Sequence, residues 1–305
     1  MKRFSEKPAG VINSADLKTF KGQFVYWLIM AILILVCLVC IIPAIWTLAT
    51  SLKSSQEIYQ SASFIPKELS WAIIKERVST AWYAMDATRA SLNTLIISIG
   101  ATIFCLIIDG LGGYVLSRLK PTGTKLIFAL IVWTMMMPGQ IRTVPLFISY
   151  MNWPLIAKTS WEVSLMNTYW PMILGSATGA FTVMLFKNNF DAISISLVEA
   201  AKIDGAGNMR IFFNIMVPLS IPIIMYVAIG TMRGPWGDFF TPYLILTDKA
   251  KYTLPVTVYA LQSDNTVKMN TYMMSLVLSS IPGLLIFACF QKYIVGGVNV
   301  GGVKG

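Results

Sequence analysis

The chain has 305 residues, of which 56% are hydrophobic and only 12% are charged. Soluble globular proteins carry about 25% charged residues, so this composition excludes an ordinary soluble domain and predicts an integral membrane protein. A net charge of +10 would suggest nucleic-acid binding in a soluble protein. Here the charges cluster between long charge-free stretches, so we expect a bilayer partner and no nucleic acid.

Histidine is absent from the sequence. Its absence excludes histidine-based proton relays, histidine metal ligands and Ser-His or Cys-His catalysis. We therefore expect a protein that is not an enzyme and binds no metal or cofactor. Cys37 and Cys40 have a C-x-x-C spacing, but without a second pair we expect them to be small packing residues rather than a metal or redox site.

Charge-free stretches predict about six transmembrane helices, since a hydrocarbon core of ~30 Å needs about 20 apolar residues. We place the spans at residues 24–50, 91–117, 126–150, and within 162–187, 210–233 and 268–292. Prolines occur in several of them, and this number of prolines favours kinked helices around a pathway. The predicted fold class is an all-α membrane protein of the cell membrane.

Basic residues are concentrated in the segments that we expect to be cytoplasmic. The connection after the second span contains Arg118, Lys120 and Lys125 and no acidic residue, whereas residues 51–90 mix both signs. The positive-inside rule therefore places both termini in the cytoplasm. We expect a cytoplasmic tail at 1–22, a transmembrane domain at 23–295 with a cytoplasmic loop at 191–210, and a second cytoplasmic tail at 296–305.

The loop at 191–210 contains a predicted short helix. Ser196 and Glu199 have the S-x-x-E spacing of a capping box, in which each side chain bonds to the other residue's backbone amide. This spacing predicts that the helix begins at Leu197. A capping box also occurs in ordinary helices, so it does not by itself indicate a function.

Small residues follow in the same loop. Ala200 and Ala201 favour helix formation and leave room for close contact with another surface. Gly205 is suited to the left-handed conformation that ends a helix, and Asn208 can cap the next helix. The pattern predicts a short, small-faced helix that a glycine turn joins to the fifth span.

The loop resembles the EAA loop of permease subunits of ATP-binding-cassette importers, whose pattern is E-A-A-x(3)-G-x(9)-I-x-L-P. The matching residues are Glu199, Ala200, Ala201, Gly205, Ile215, Val217 and Pro218, with valine where leucine is usual. Asp204 and Ala206 extend the match in the form typical of sugar importers.

Other segments look like the same family. In the second span they include Tyr114 and Arg118, and Trp236 to Phe239 resembles a W-N-D-F segment with glycine in place of asparagine. The end of the chain is similar to the terminus of the MalG-like type, through Gly301, Gly302, Val303, Lys304 and Gly305.

The resemblance implies a type I importer permease fold and an ATPase-coupling role for the loop. The residues implied in coupling are Ser196, Glu199, Ala200, Ala201, Asp204, Gly205 and Ala206, and Gly301 to Gly305 would also contact the ATPase. The implied partners are a second permease subunit, two ATPase subunits and an extracytoplasmic solute-binding protein. The implied solute is a saccharide or oligosaccharide. Consistent with this, the sequence has no G-x-x-x-x-G-K-[ST] motif, so ATP must be hydrolysed on a partner chain.

A few residues inside the spans could contact the solute or line its pathway. Asp109 is the acidic residue of the second span, and we expect it towards the cytoplasmic end, near water or Arg118. The candidates for lining a pathway are Met136, Met137, Asn152 and Asn167. The aromatic residues around them are also typical of membrane interfaces.

Two other classes of protein and one other solute class are alternatives. An ion-coupled secondary transporter usually has ionisable groups near the midplane, and Asp109 alone could serve there. A membrane enzyme needs a catalytic constellation, which the residues do not suggest. An importer of the same class with a non-sugar solute stays open.

Overall fold

The computed structural model describes residues 19–60, 63–153 and 163–297, with side chains as far as residue 291. Over these ranges the chain is helical, apart from loops and an isolated bridge between Trp153 and Val163. The prediction of an all-α membrane protein is confirmed.

The amino-terminal half contains two long helices and four shorter ones: α1 (Phe20–Leu52), α2 (Ser55–Gln60), α3 (Trp71–Ala84), α4 (Ala87–Tyr114), α5 (Thr124–Met136) and α6 (Thr143–Met151). A π-helical turn, Val115–Leu119, continues α4. Both α1 and the extended α4 are long and apolar enough to cross a bilayer.

The carboxyl-terminal half consists mainly of short helices: α7 (Trp170–Ser176), α8 (Ala180–Ala192), α9 (Ile195–Ile203), α10 (Asn208–Ile211), α11 (Val217–Leu219), α12 (Ile221–Arg233), α13 (Phe240–Ile245), α14 (Leu254–Gln262) and α15 (Met269–Gly297). Of these, α15 is long and apolar enough to cross a bilayer by itself. It packs against α1, α3, α12 and α14.

The third predicted span is sharply bent rather than continuous. Helices α5 and α6 satisfy the length and composition of a span together, but the chain bends by 105° at Met137 and Pro138. The 3-10 turn Gly139–Arg142 follows the bend and leads into α6. Pro138 explains the bend, because proline has no N–H to donate and disfavours a helical conformation in the residue before it. That residue, Met137, is extended (φ −79°, ψ 125°).

The fifth predicted span is also bent, by 83°, between Asn208–Leu219 and Ile221–Trp236. Pro222 cannot donate to the carbonyl of Pro218, four residues earlier, so a regular helix is interrupted there. Ser220 leaves the helical region at the break (φ −107°, ψ 11°). The prediction that prolines bend the spans is confirmed at these two places.

The fourth predicted span consists of two short helices. Helices α7 and α8 are separated by residues 177–179, and residues 154–162 lie outside the described ranges. Within the described ranges, three helices and two bent pairs could cross a bilayer by length and composition. The count of six spans and the cytoplasmic position of both termini stay predictions.

Helix α4 is the centre of the packing and contacts α7, α8 and α12. Its closest approach is at Gly113, where an added Cβ would lie 2.6 Å from Phe186 Cβ and 2.9 Å from the Lys187 nitrogen on α8. An aromatic cluster fills the neighbouring space: the ring centroids of Phe186 and Phe190 are 5.8 Å apart, and those of Tyr114 and Phe212 are 5.2 Å apart.

Asp109 lies between helices instead of reaching water or Arg118, so that expectation is wrong. The residue is 1% exposed. Its Oδ2 accepts a hydrogen bond from the Gly179 backbone N–H, 3.1 Å away, at the start of α8. Cys105 Sγ lies 3.5 Å from the same oxygen. The carboxyl therefore accepts a hydrogen bond from a backbone N–H at the break between α7 and α8. An unpaired backbone N–H is costly in a membrane.

The Gly113 contact generates a stability prediction. We expect Gly113→Ala to destabilise the solubilised protein by about 1–3 kcal/mol, because the added methyl group overpacks the contact between α4 and α8. The matched control is Gly112→Ala, whose Cβ would meet Val183 at an ordinary 3.8 Å. Thermal unfolding measures both variants, and equal melting temperatures for the two would contradict the close approach.

Candidate functional site

The helix of the predicted loop begins earlier than its capping box requires. Helix α9 starts at Ile195 with Ser194 as its N-cap, so Ser196 is already the second helical residue. The Ser196 hydroxyl contacts the Ser194 hydroxyl at 2.7 Å, and Glu199 is exposed. The predicted capping box is therefore wrong, because the chain turns into the helix two residues before Leu197.

The end of α9 is as predicted. Gly205 has a left-handed backbone (φ +78°). The Gly205 N–H donates to the Lys202 carbonyl at 3.0 Å, and the Ala206 N–H donates to the Ala201 carbonyl at 2.9 Å. These two bonds form a Schellman motif, which satisfies carbonyls that the helix end would otherwise leave unpaired. The next helix differs from expectation, because Gly207 is its N-cap and Asn208 its first residue.

The two alanines of the loop face different surroundings. Ala201 is half-buried and packs with Val198 and Ala206 against the core cluster of this chain. Ala200 is exposed. The two alanines lie on different sides of α9, because successive residues on a helix are rotated by about 100°. The prediction that they contact an ATPase stays a prediction.

Sequence reasoning missed the apolar residues beside Ala200. Leu197 and Ile203 lie three residues away on either side of it and are 46% and 86% exposed. Residues at this spacing share one side of a helix. Leu197, Ala200 and Ile203 form what we call the α9 apolar face. The signal in the sequence is their spacing, since apolar residues three positions apart on both sides of Ala200 indicate one apolar side of a helix.

The carboxyl-terminal end of α4 contacts the chain on both sides of α9. Arg118 Nη2 donates hydrogen bonds to the backbone carbonyls of Phe190 and Ile193, just before α9. Tyr114 donates its hydroxyl hydrogen to the Asn208 carbonyl, just after α9, at 3.2 Å. We call Tyr114, Ser117 and Arg118 the α4 anchor.

Ser117 completes the α4 anchor through a charged neighbour. Its hydroxyl donates to Asp191 Oδ1 at 2.6 Å, and Lys187 Nζ lies 2.6 Å from Asp191 Oδ2. Burial opposes ionisation of Asp191, but the hydrogen bonds from Lys187 and Ser117 outweigh it and lower the pKa of the carboxyl. Asp191 therefore stays ionised at neutral pH, and the resulting charge-assisted bonds are stronger than neutral ones.

The arrangement fixes α9 to the rest of the chain. Its flanks are bonded to the end of α4, and its inner side packs on the core cluster that includes Phe190 and Phe212. Hydrogen bonds of the α4 anchor therefore connect the flanks of α9 to α4 and α8, and the turn at Gly205 connects α9 to the bent fifth span. Sequence reasoning found only the second of these connections.

The predicted pathway residues are not brought into one cluster by any contact among the described residues. Met136 and Met137 are exposed, at 80% and 50%, at the bend after α5. Asn152 is exposed after α6. The Asn167 side-chain oxygen instead accepts backbone N–H groups of Thr247 and Asp248, at 3.3 Å and 3.1 Å. The tail from Gly301 to Gly305 lies outside the described residues, as does most of the predicted 296–305 segment.

Gly205 generates a prediction about local stability. We expect Gly205→Ala to weaken the Schellman motif by about 1–2 kcal/mol, because an L-residue is disfavoured in the left-handed region. The amide of Ala206 should then exchange its hydrogen roughly 5–30 times faster. The control is Gly207→Ala, since Gly207 is extended (φ −71°, ψ 162°) and has no neighbouring atom within 4 Å. Equal exchange in both variants would exclude the motif.

The α4 anchor generates a second prediction. Arg118→Gln removes the charged donor from two backbone carbonyls, so hydrogen exchange across residues 193–206 should rise by about tenfold or more. Exchange in α1 and α15, which do not contact Arg118, should be unaltered. Lys125→Gln is the matched control, because Lys125 is an exposed cation beyond the same helix end and forms no ion pair among the described residues. Unchanged exchange in Arg118→Gln would contradict the anchoring role.

Comparisons with known proteins agree with this geometry. Residues 110–300 match the family described as "Binding-protein-dependent transport system inner membrane component". The diacetylchitobiose uptake system permease protein NgcG of Streptomyces coelicolor is 30% identical over 273 residues, covering 89% of this chain and 86% of the relative. The polygalacturonan/rhamnogalacturonan transport system permease protein YtcP of Bacillus subtilis is 29% identical, covering 93% of this chain and 100% of the relative.

A solved structure supports the fold. A chain of a bacterial ABC transporter involved in the import of the acidic polysaccharide alginate superposes with a TM-score of 0.75 at 22% identity, covering 90% of this chain and 98% of that one. With the match to the family over residues 110–300, this chain is a membrane-embedded permease and belongs to the binding-protein-dependent transport system inner membrane components.

Proposed function

We propose that this chain is one permease subunit of an ATP-driven importer for a saccharide or oligosaccharide. The observation that carries the proposal is the α9 apolar face, which is exposed although α9 itself is fixed to the rest of the chain. Exposed apolar residues on a rigid cytoplasmic surface are typical of a protein interface. The chain forms part of the pathway, and the energy comes from an ATPase that docks on α9.

The docking residues in this proposal are Leu197, Ala200 and Ile203, with Ser196 and Glu199 beside them. Asp204, Gly205 and Ala206 end the helix, and Ala201 supports it from within. The complete importer contains a second permease subunit, two ATPase subunits and an extracytoplasmic solute-binding protein. The tail from Gly301 to Gly305 is proposed as a second ATPase contact.

The proposed orientation has six spans and both termini in the cytoplasm. The basic residues after α4, which include Lys120 and Lys125, support a cytoplasmic position for that connection. The α4 anchor bonds the end of the same helix to the flanks of α9. Both segments therefore lie on one side of the membrane, and the ATPase docks on α9 from the cytoplasm.

The solute class is supported by the relatives. The name of NgcG specifies diacetylchitobiose, and that of YtcP specifies polygalacturonan and rhamnogalacturonan. Both are carbohydrates, and both relatives match nearly the whole of this chain. One relative's carbohydrate is neutral and the other's is acidic, so the relatives favour a saccharide without deciding its charge.

The test is a reconstituted complex with its ATPase and binding protein in lipid vesicles. Wild-type complex should take up an oligosaccharide and hydrolyse ATP faster when the loaded binding protein is present. Ala200→Phe should leave the melting temperature of the permease unaltered but lower ATPase co-purification and stimulated hydrolysis by about tenfold, because an overpacked contact costs ~1–3 kcal/mol.

The matched variant is Ala201→Phe, one residue along the same helix. Its side chain is half-buried against this chain's own core, so it should lower the melting temperature of the isolated permease as well as coupling. If Ala200→Phe coupled normally, the α9 apolar face would not be the ATPase contact. If no saccharide were taken up by the wild-type complex, the proposed solute class would be wrong.

A further inference from the structure

A cation lies at the bend of the third predicted span. The 13 residues of α5 rise ~20 Å at ~1.5 Å per residue, in a hydrocarbon core of ~30 Å. Because Arg142 follows one short turn later, we expect it to lie inside the hydrocarbon core. Charged residues at this depth are costly, and they commonly mark solute or ion pathways.

Arg142 has no charged partner among the described residues. Its guanidinium group forms no ion pair and no hydrogen bond there, and the residue is exposed. The acid in the neighbouring segment is Asp238, whose Oδ1 accepts the Thr241 backbone N–H at 3.2 Å. Asp238 does not line the cavity beside Arg142. The five donors of the guanidinium fork therefore stay available to a ligand.

The cavity beside Arg142 lies between the bend and α13. Its volume is about 180 Å³, which equals about six water molecules at ~30 Å³ each and is comparable with one sugar ring. The lining combines the cation and three aliphatic side chains with three aromatic rings, those of Phe147, Tyr150 and Phe240, and three hydroxyl groups, those of Thr143, Tyr150 and Thr241. Aromatic faces suit the C–H face of a sugar, and hydroxyl groups can bond to sugar hydroxyls.

The glycine at the start of the turn keeps the cavity accessible. Gly139 also lines it, and a Cβ added at Gly139 would meet no atom within 4 Å. The exposed Met137 precedes it at the same bend. The cavity therefore lies next to Met137, one of the predicted pathway residues.

We propose that this cavity is a solute subsite and that the solute is an acidic saccharide whose carboxylate binds Arg142. The inference rests on the proposed function and narrows its solute class. A planar guanidinium pairs with a carboxylate through two parallel hydrogen bonds, an arrangement that lysine cannot reproduce. A neutral sugar would leave the cation desolvated and unpaired, whereas a uronic acid residue neutralises it.

The test uses the reconstituted complex and two probe sets of equal length: trimers of galacturonate or mannuronate, and the neutral trimer of galactose. A uronate trimer should stimulate ATP hydrolysis by the wild-type complex. Arg142→Gln should raise the half-maximal concentration of that trimer by about tenfold or more, the size expected for a lost charged hydrogen-bond pair. Arg142→Lys should recover only part of the loss, and Lys125→Gln, on the same span, should match wild type.

The outcomes separate this inference from the proposed function. Stimulation by the galactose trimer alone would overturn the acidic solute and leave the saccharide importer intact, whereas stimulation by neither probe set would overturn both. If Arg142→Gln and wild type had the same half-maximal concentration of uronate, Arg142 would not be the contact. If the effect of Arg142→Gln changed with the anionic lipid content of the vesicles and not with the probe, Arg142 would bind lipid phosphate and the subsite would be overturned. Loss of subunit assembly in both Arg142 variants would assign Arg142 a structural role and would also overturn the subsite.

Discussion

The close approach of α4 and α8 at Gly113 is the contact on which the position of α9 depends. Because no Cβ separates the helices, the backbone at Lys187 lies against α4, and the last turn of α4 reaches the carboxyl-terminal end of α8. Only at that separation can Arg118 bond to the Phe190 and Ile193 carbonyls while Ser117 bonds to Asp191. The position of α9 is therefore linked to the missing Cβ of Gly113, which lies about one helical turn before Ser117 and Arg118.

Breaks in the membrane helices determine where the polar side chains lie. Every interruption frees backbone donors or acceptors, and hydrocarbon offers them no water. Asp109 accepts the Gly179 amide at the break before α8, and Asn167 accepts two amides that precede α14. Both side chains were read from the sequence as possible solute or ion contacts. Their observed partners show that a polar side chain in a predicted span can accept hydrogen bonds from the backbone of an interrupted helix instead of contacting a solute.

The sequence predicted the features that depend on local chemistry. Hydropathy is sufficient for α1, α4 and α15, and glycine is the residue expected at the left-handed end of α9. Pro138 and Pro222 mark the bends because their effect is confined to one turn. The start of α9 and the direction of Ala201 depend instead on packing against Phe190 and Phe212, which are close only in three dimensions. Similarly, the partners of Arg118 are more than 70 residues away, beyond the reach of any local pattern.

The continuous and the bent helices have different roles in the proposed transporter. Helix α4 is continuous, and its end is bonded to both flanks of α9, so a displacement of α9 moves α4 as a unit. The third and fifth spans can change shape at Pro138 and Ser220, where the helical hydrogen bonds are already interrupted. Arg142 lies at the first of these bends. A solute bound there shifts the shape of the span only if it binds one shape better than the other. In the proposed subsite, Arg142 supplies that difference when its distance from a bound carboxylate differs between the two shapes.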